Sequence, residues 1–97
     1  MIEGKTKSGF KFKIDERILD DWELLEAIGD TESDDSSRVV RGMTNLPRLL
    51  LGDQADALKK HIADKNDGFI PKDVMLNTVI EIVKSSRELK NSQSSEG

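Results

Sequence analysis

The fold is decided where one periodicity gives way to another, between Gly9-Phe10-Lys11-Phe12-Lys13-Ile14-Asp15 and Leu19-Asp20-Asp21-Trp22-Glu23-Leu24-Leu25-Glu26-Ala27-Ile28-Gly29. In the first stretch Phe10, Phe12 and Ile14 share one parity, while Lys7, Gly9, Lys11 and Lys13 share the other. That is the pattern of a half-buried strand. Lys7-Ser8-Gly9 is a turn candidate that would let residues 1–6 pair with 10–14 as a hairpin. In the second stretch Ile18, Trp22 and Leu25, with Leu19, Leu24 and Ile28 beside them, recur at helical spacing. Two helix starts compete. Asp15 would cap a helix at Glu16, whereas Asp20 would cap one at Asp21 with Glu23 completing a capping box; the second is preferred, preceded by a single turn. Gly29 predicts the helix end, and the polar residues 30–37 predict a loop.

The rest of the chain reads as helices punctuated by turn residues. A second helix is expected from Ser36 or Ser37, carrying Val39, Val40 and Met43. It should break at Thr44-Asn45-Leu46-Pro47, because an internal proline removes a donor and costs ~3 kcal/mol, and restart with Pro47 in a first turn. Leu49-Leu50-Leu51 leads to Gly52 as a stop. Asp53 is expected to cap a third helix with Ala55, Leu58, Ile62 and Ala57 on its apolar side, closed by residues 64–68. Phe69-Ile70-Pro71 predicts an extended segment, after which Pro71 opens a last helix. Its apolar face is Val74, Met75, Thr78, Val79, Ile82 and Val83, through to about Ser86. Residues 90–97 hold no apolar side chain and predict a disordered tail. The expected fold is therefore mainly α: a small bundle of about four helices preceded by an N-terminal strand or hairpin. It forms one domain over residues 1–88, followed by a tail over 89–97.

Composition narrows the function. A chain of 97 residues has room for one modest core. Its apolar and charged fractions are equal, 35% each, so part of the chain is expected to stay unpacked. The absence of cysteine excludes thiol redox chemistry and disulfides, which suits a reducing cytoplasm. No apolar run of signal-peptide length follows Met1-Ile2-Glu3-Gly4-Lys5, and none approaches a membrane span. A net charge of −4 argues against binding nucleic acid. The charge is unevenly placed: residues 1–13 hold Lys5, Lys7, Lys11 and Lys13 against Glu3, whereas 14–36 hold ten acids against Arg17. Such asymmetry invites pairing between copies or with a basic partner, beside its plainer reading as solvated surface.

Motifs for chemistry are missing. The sole histidine, His61, lies on a predicted helix with no evident nucleophile, and no serine sits in a Gly-x-Ser-x-Gly elbow. No phosphate-cradling glycine pattern occurs. Asp64-Lys65-Asn66-Asp67-Gly68-Phe69-Ile70 resembles the start of an EF-hand loop, but either register places Val74 or Met75 where the closing glutamate belongs, so it reads as an Asn-Asp-Gly turn. Asp20 and Asp21 read as capping residues rather than an acid-base pair. Trp22 belongs to an apolar series, which predicts core packing; a partner anchor is its other reading. Leu49, Leu50 and Leu51 cannot all face one core, so at least one should point outward or into a subunit contact.

The order of four segments resembles a known family. Gly9-Phe10-Lys11-Phe12-Lys13-Ile14-Asp15, then Leu19-Asp20-Asp21-Trp22-Glu23-Leu24-Leu25-Glu26-Ala27, then Leu46-Pro47-Arg48-Leu49-Leu50-Leu51-Gly52, then Asp67-Gly68-Phe69-Ile70-Pro71 is similar to the tail assembly chaperones of long-tailed phages infecting Gram-positive bacteria. The similarity runs from about Gly9 to Ser86 and lies in order and spacing. It implies a non-enzymatic, cofactor-free protein in the cytoplasm of the bacterial host. Such a protein binds the tape measure protein, helps recruit tail tube protein, and leaves the finished virion. Members of the family also form oligomers and make a longer, frameshifted form. Leu89-Lys90-Asn91 is compatible with a slippery heptamer where the leucine codon ends in A. The partner-binding residues expected are Trp22, Leu25, Met43, Leu49 and Leu50, with the acidic first helix steering basic client segments. The alternatives are a small regulatory protein-binding module and a calcium-responsive switch at residues 64–70.

Overall fold

The structure, a computed structural model, describes residues 1–94. The period-two stretch forms a hairpin in which β1 (Ile2–Lys5) pairs antiparallel with β2 (Lys11–Ile14), Ile2 opposite Ile14, Gly4 opposite Phe12 and Lys5 opposite Lys11. Thr6 closes the turn: its N–H donates to the Phe10 carbonyl at 2.8 Å, and its carbonyl accepts from the Gly9 N–H at 3.0 Å. Ile2, Phe10, Phe12 and Ile14 point inward and the lysines outward, as the alternation requires. Gly4 makes room for Phe12, since a Cβ there would lie 2.5 Å from the ring.

Of the two candidate caps, Asp15 is used and Asp20 is not; its neighbour Asp21 takes the cap position of the helix. Asp15 caps a 3₁₀ turn over Glu16–Asp20 by accepting from the Arg17 N–H at 3.0 Å. Asp21, not Asp20, caps α1 (Trp22–Thr31) by accepting from the N–H groups of Glu23 and Leu24. The helix runs through Gly29 instead of ending there, to Thr31. Its buried side is Leu24 and Ala27, with Ile28 partly covered. Trp22, expected in the core, is instead 71% exposed. The cause is the seam with α2 (Ser36–Leu51), where a Cβ on Gly42 would lie 2.7 Å from the Ala27 carbonyl oxygen and 2.8 Å from the Thr31 nitrogen. Two backbones this close accept only small side chains between them, so the stripe holding Ala27 turns inward and the stripe holding Trp22 turns out.

The break expected at Pro47 does not occur; α2 is continuous with Pro47 inside it. Proline leaves the Met43 carbonyl without its usual helical donor, a cost of ~3 kcal/mol. Against it stand Leu46, Leu50 and Leu51, all buried in this same stretch, each contributing ~1.5–3 kcal/mol. Leu49 is the leucine left outside. Gly52, at φ +55°, ends the helix. Asp53 then stands at the cap position of α3 (Gln54–Asp64) but makes no side-chain cap bond. Ala55, Leu58 and Ile62 form the buried side of α3, and Ala57 is exposed.

Residues 65–68 make the expected turn, with Asp67 at φ +56° and Gly68 at φ +84°. The carbonyl of Pro71 accepts from the Met75 N–H at 3.0 Å, which places the proline immediately before α4 (Lys72–Ser94). Val79, Ile82, Val83 and Ser86 are buried, whereas Val74 lies outside. The helix continues past the end expected near Ser86 because Leu89 packs partly against the core and Lys90 reaches Asp20 Oδ2 at 2.7 Å. The remainder of the expected tail, residues 95–97, lies outside the described residues. The buried apolar side chains form one cluster, with α4 packed on β1 and α2 on β2.

Candidate protein-binding surface

Helix α1 exposes Trp22 and Leu25 on an acidic segment. Trp22, Leu25, Glu26 and Gly29 fall at i, i+3, i+4 and i+7, one face of the helix. The Trp22 indole N–H donates to a Glu26 carboxylate oxygen, which lays the ring along the helix surface. Leu25 is 44% exposed and opens onto a groove of about 340 Å³ lined by Leu19, Asp20, Arg87, Lys90 and Asn91. Glu26 lies against the ring, and Glu23 is exposed on the same turn. An exposed aromatic beside a carboxylate, next to a leucine on a groove of mixed charge, can take an apolar side chain from a partner.

The other expected partner residues are not brought to this face. Met43 lines a separate groove of about 550 Å³ between α2 and α3, together with Pro47, Ala55, Met75, Arg48, Asp56 and Lys59. Leu49 is partly exposed, six residues beyond Met43 and hence on another side of α2. Leu50 is 1% exposed and belongs to the core, where no partner reaches it while the fold is closed. Sequence reasoning missed a third apolar patch, Phe69, Ile70 and Val74, all exposed at the α3–α4 connection. The signal was Phe69 in a turn sequence, where no core position called for it.

His61 has a structural task. Its Nε2 lies 3.0 Å from Ser8 Oγ, and its ring packs against Phe10 with centroids 5.6 Å apart. The Ser8 hydroxyl also contacts Thr6 Oγ1 at 3.0 Å, so this serine–histidine pair is part of the bonding that pins the hairpin turn onto α3. Glu81 of α4 holds the same turn by accepting from the Lys7 N–H at 2.8 Å. Gln54 does the equivalent for the outer edge of β2: its Oε1 accepts from the Lys13 N–H and its Nε2 donates to the Lys13 carbonyl, both at 2.8 Å. Among the described residues no three His, Cys, Asp or Glu side chains gather as a metal site, and no helix is long and apolar enough to cross a membrane.

Compared with models of known protein families, with curated proteins and with solved structures, the chain finds no match.

Proposed function

We propose that this protein is a tail assembly chaperone of a long-tailed phage or prophage, acting in the cytoplasm of a Gram-positive host without catalysis or cofactor. It holds the tape measure protein soluble and helps bring tail tube subunits to it. The observation that carries this reading is the outward Trp22–Leu25 face on an acidic helix, a docking surface for basic amphipathic segments of a long helical client. The ordered resemblance of the four segments supplies the identity of that client. A frameshifted form produced at Leu89-Lys90-Asn91 would continue from α4 and carry the same surface.

Co-expression with the tape measure protein tests it. The unmodified chain should keep the client soluble. Trp22→Ala with Leu25→Ala should lose that ability, on the order of tenfold or more in affinity, while its own melting temperature changes little. A client equally soluble with and without this chain overturns the assignment.

A further inference from the structure

The docking face of α1 is bordered by opposite charges on its two sides. Successive residues of a helix are turned by about 100°, so Glu26 and Glu23 fall on one side of the Trp22 position and Leu25 on the other. Neither Glu23 nor Glu26 is ion-paired among the described residues, and the next acid on their side, Asp30, is already answered by Arg38 at 3.5 Å. The Leu25 side opens onto α4 across the groove of about 340 Å³, whose charged residues are Arg87, Lys90 and Asp20. Lys90 is bound to Asp20 at 2.7 Å, which leaves Arg87 exposed and without an ion pair among the described residues. Lys90, and at longer range Arg87, hold the Asp20 carboxyl below its ordinary value, so this acid stays ionised and the groove keeps two cations against one carboxylate. Trp22 and Leu25 thus lie between unpaired carboxylates and an unpaired guanidinium.

We propose that this face selects the chain direction of the segment it binds: an amphipathic helix lying along α1, with Lys or Arg on one flank of its apolar stripe and Asp or Glu on the other. The basic flank lies over Glu23 and Glu26, and the apolar stripe lies over Trp22 and Leu25. The acidic flank lies over Arg87, whose planar guanidinium takes a carboxylate through two parallel hydrogen bonds. Turning such a helix end for end exchanges its left and right flanks while its stripe stays against α1. The reversed helix sets its cations against Arg87 and its carboxylates against Glu23 and Glu26, and like charges in contact disfavour that arrangement. A segment with lysines on both flanks gains on one side of Trp22 and loses on the other. The inference rests on reading the α1 face as a docking surface. It adds an acidic flank to the client's chemistry, and it makes Arg87, on α4, the residue that sets direction.

Designed helical peptides of about 18 residues, or five turns, test this on the full chain. They share one leucine stripe, lack tryptophan, and carry lysine on one flank with glutamate on the other, lysine on both, or glutamate on both. Followed by Trp22 emission at low salt, the mixed-flank peptide should bind at least about fivefold tighter than either single-charge peptide. A nitroxide at its N-terminus should broaden amide signals at one end of α1 only, and the peptide with its two flanks exchanged should broaden the other end. Arg87→Gln should erase the preference for mixed flanks over lysine alone, and Arg87→Glu should reverse it. Equal affinity for the mixed and lysine-only peptides, broadening of both ends alike, or a preference unchanged in Arg87→Gln would each overturn the proposal and leave the α1 face standing as a docking surface. No Trp22 response to any of the three peptides would remove the docking reading itself, and this inference with it. The unmodified chain's preference and the broadening pattern decide the matter where a variant does not fold.

Discussion

Two glycines inside neighbouring helices should answer the same substitution with opposite signs. At Gly42 an alanine Cβ would lie 2.7 Å from the Ala27 carbonyl oxygen, 2.8 Å from Asp30 Cβ and 2.8 Å from the Thr31 nitrogen. Ordinary contact needs the α1–α2 seam to open by roughly half an ångström or more, since attraction turns to steep repulsion at these separations. Two of the three atoms are backbone, so no side-chain rotation relieves them. Alanine improves helix propensity by ~1 kcal/mol, and forced overpacking costs about 1–3 kcal/mol, with this site at the upper end. Gly42→Ala should therefore destabilise the fold by about 1–2 kcal/mol, a melting-temperature fall of about 5–10 °C for a domain this size. At Gly29 a Cβ meets nothing within 4 Å. Gly29→Ala should raise stability by about 0.5–1 kcal/mol. Thermal and urea unfolding followed by helical circular dichroism reads both. Gly42→Ala as stable as the parent, or two shifts of the same sign, would refute the close-seam account of how α1 chooses its buried side.

Three further outcomes follow from single groups. Ser86 is fully buried on α4 and its hydroxyl has no hydrogen-bond partner among the described residues, so Ser86→Ala should stabilise the protein by about 0.5–2 kcal/mol in urea unfolding; a loss of stability would mean the hydroxyl is satisfied. Gln54→Ala removes both bonds to the Lys13 backbone and should cost about 1 kcal/mol, with faster amide exchange at Lys13 than at Phe12 as the diagnostic. In acid, the Arg17 guanidinium and backbone N–H hold the Asp15 carboxyl at about 2, while Lys90 lowers Asp20 and the Ser37 hydroxyl and N–H lower Asp35. A carboxyl whose pKa is lower folded than unfolded contributes stability above the unfolded value and loses it as pH falls through the folded one. The urea midpoint should thus hold steady from neutrality to about pH 5 and decline from about pH 4 toward 2, modestly because these groups are exposed, and less in Arg17→Ala. A midpoint flat across that window would contradict the Asp15–Arg17 pairing.

Local rules carried the reading of the hairpin and the helix order, because alternation, Asp caps, Gly52 and Pro71 act within a few residues of themselves. They failed where the deciding partner lay elsewhere in the chain. Pro47 reads as a break until three buried leucines around it are seen to keep the helix continuous. Trp22 reads as core because both stripes of α1 are apolar, and only Gly42, on the next helix, selects between them. Gln54 carries no motif at all, yet it closes a strand edge 41 residues away. Polar composition after Ser86 predicts too early an end for α4, because it hides the packing of Leu89 and one long-range ion pair, Lys90 with Asp20. Of the expected partner residues, Trp22 and Leu25 share a face because they share a helix period, whereas Met43, Leu49 and Leu50 were grouped by apolarity, a property that does not fix direction.

The same choice of seam links stability to the proposed function. A chaperone needs apolar surface that stays open without aggregating, and α1 meets both demands by turning Ala27 to the interior. Ala27 against Gly42 brings the two helices together tightly enough to hold the fold, which frees the larger Trp22 and Leu25 from any internal role. Exposed apolar side chains in isolation would invite indiscriminate contact, but here the Glu26 carboxylate lies against Trp22, with Glu23 on the same turn, and disfavours acidic surfaces relative to basic ones. A partner is therefore selected by charge and retained by burial. It follows that widening the seam and neutralising the glutamates should damage function by separate routes: the first by letting Trp22 repack inward, the second by leaving it exposed but unselective.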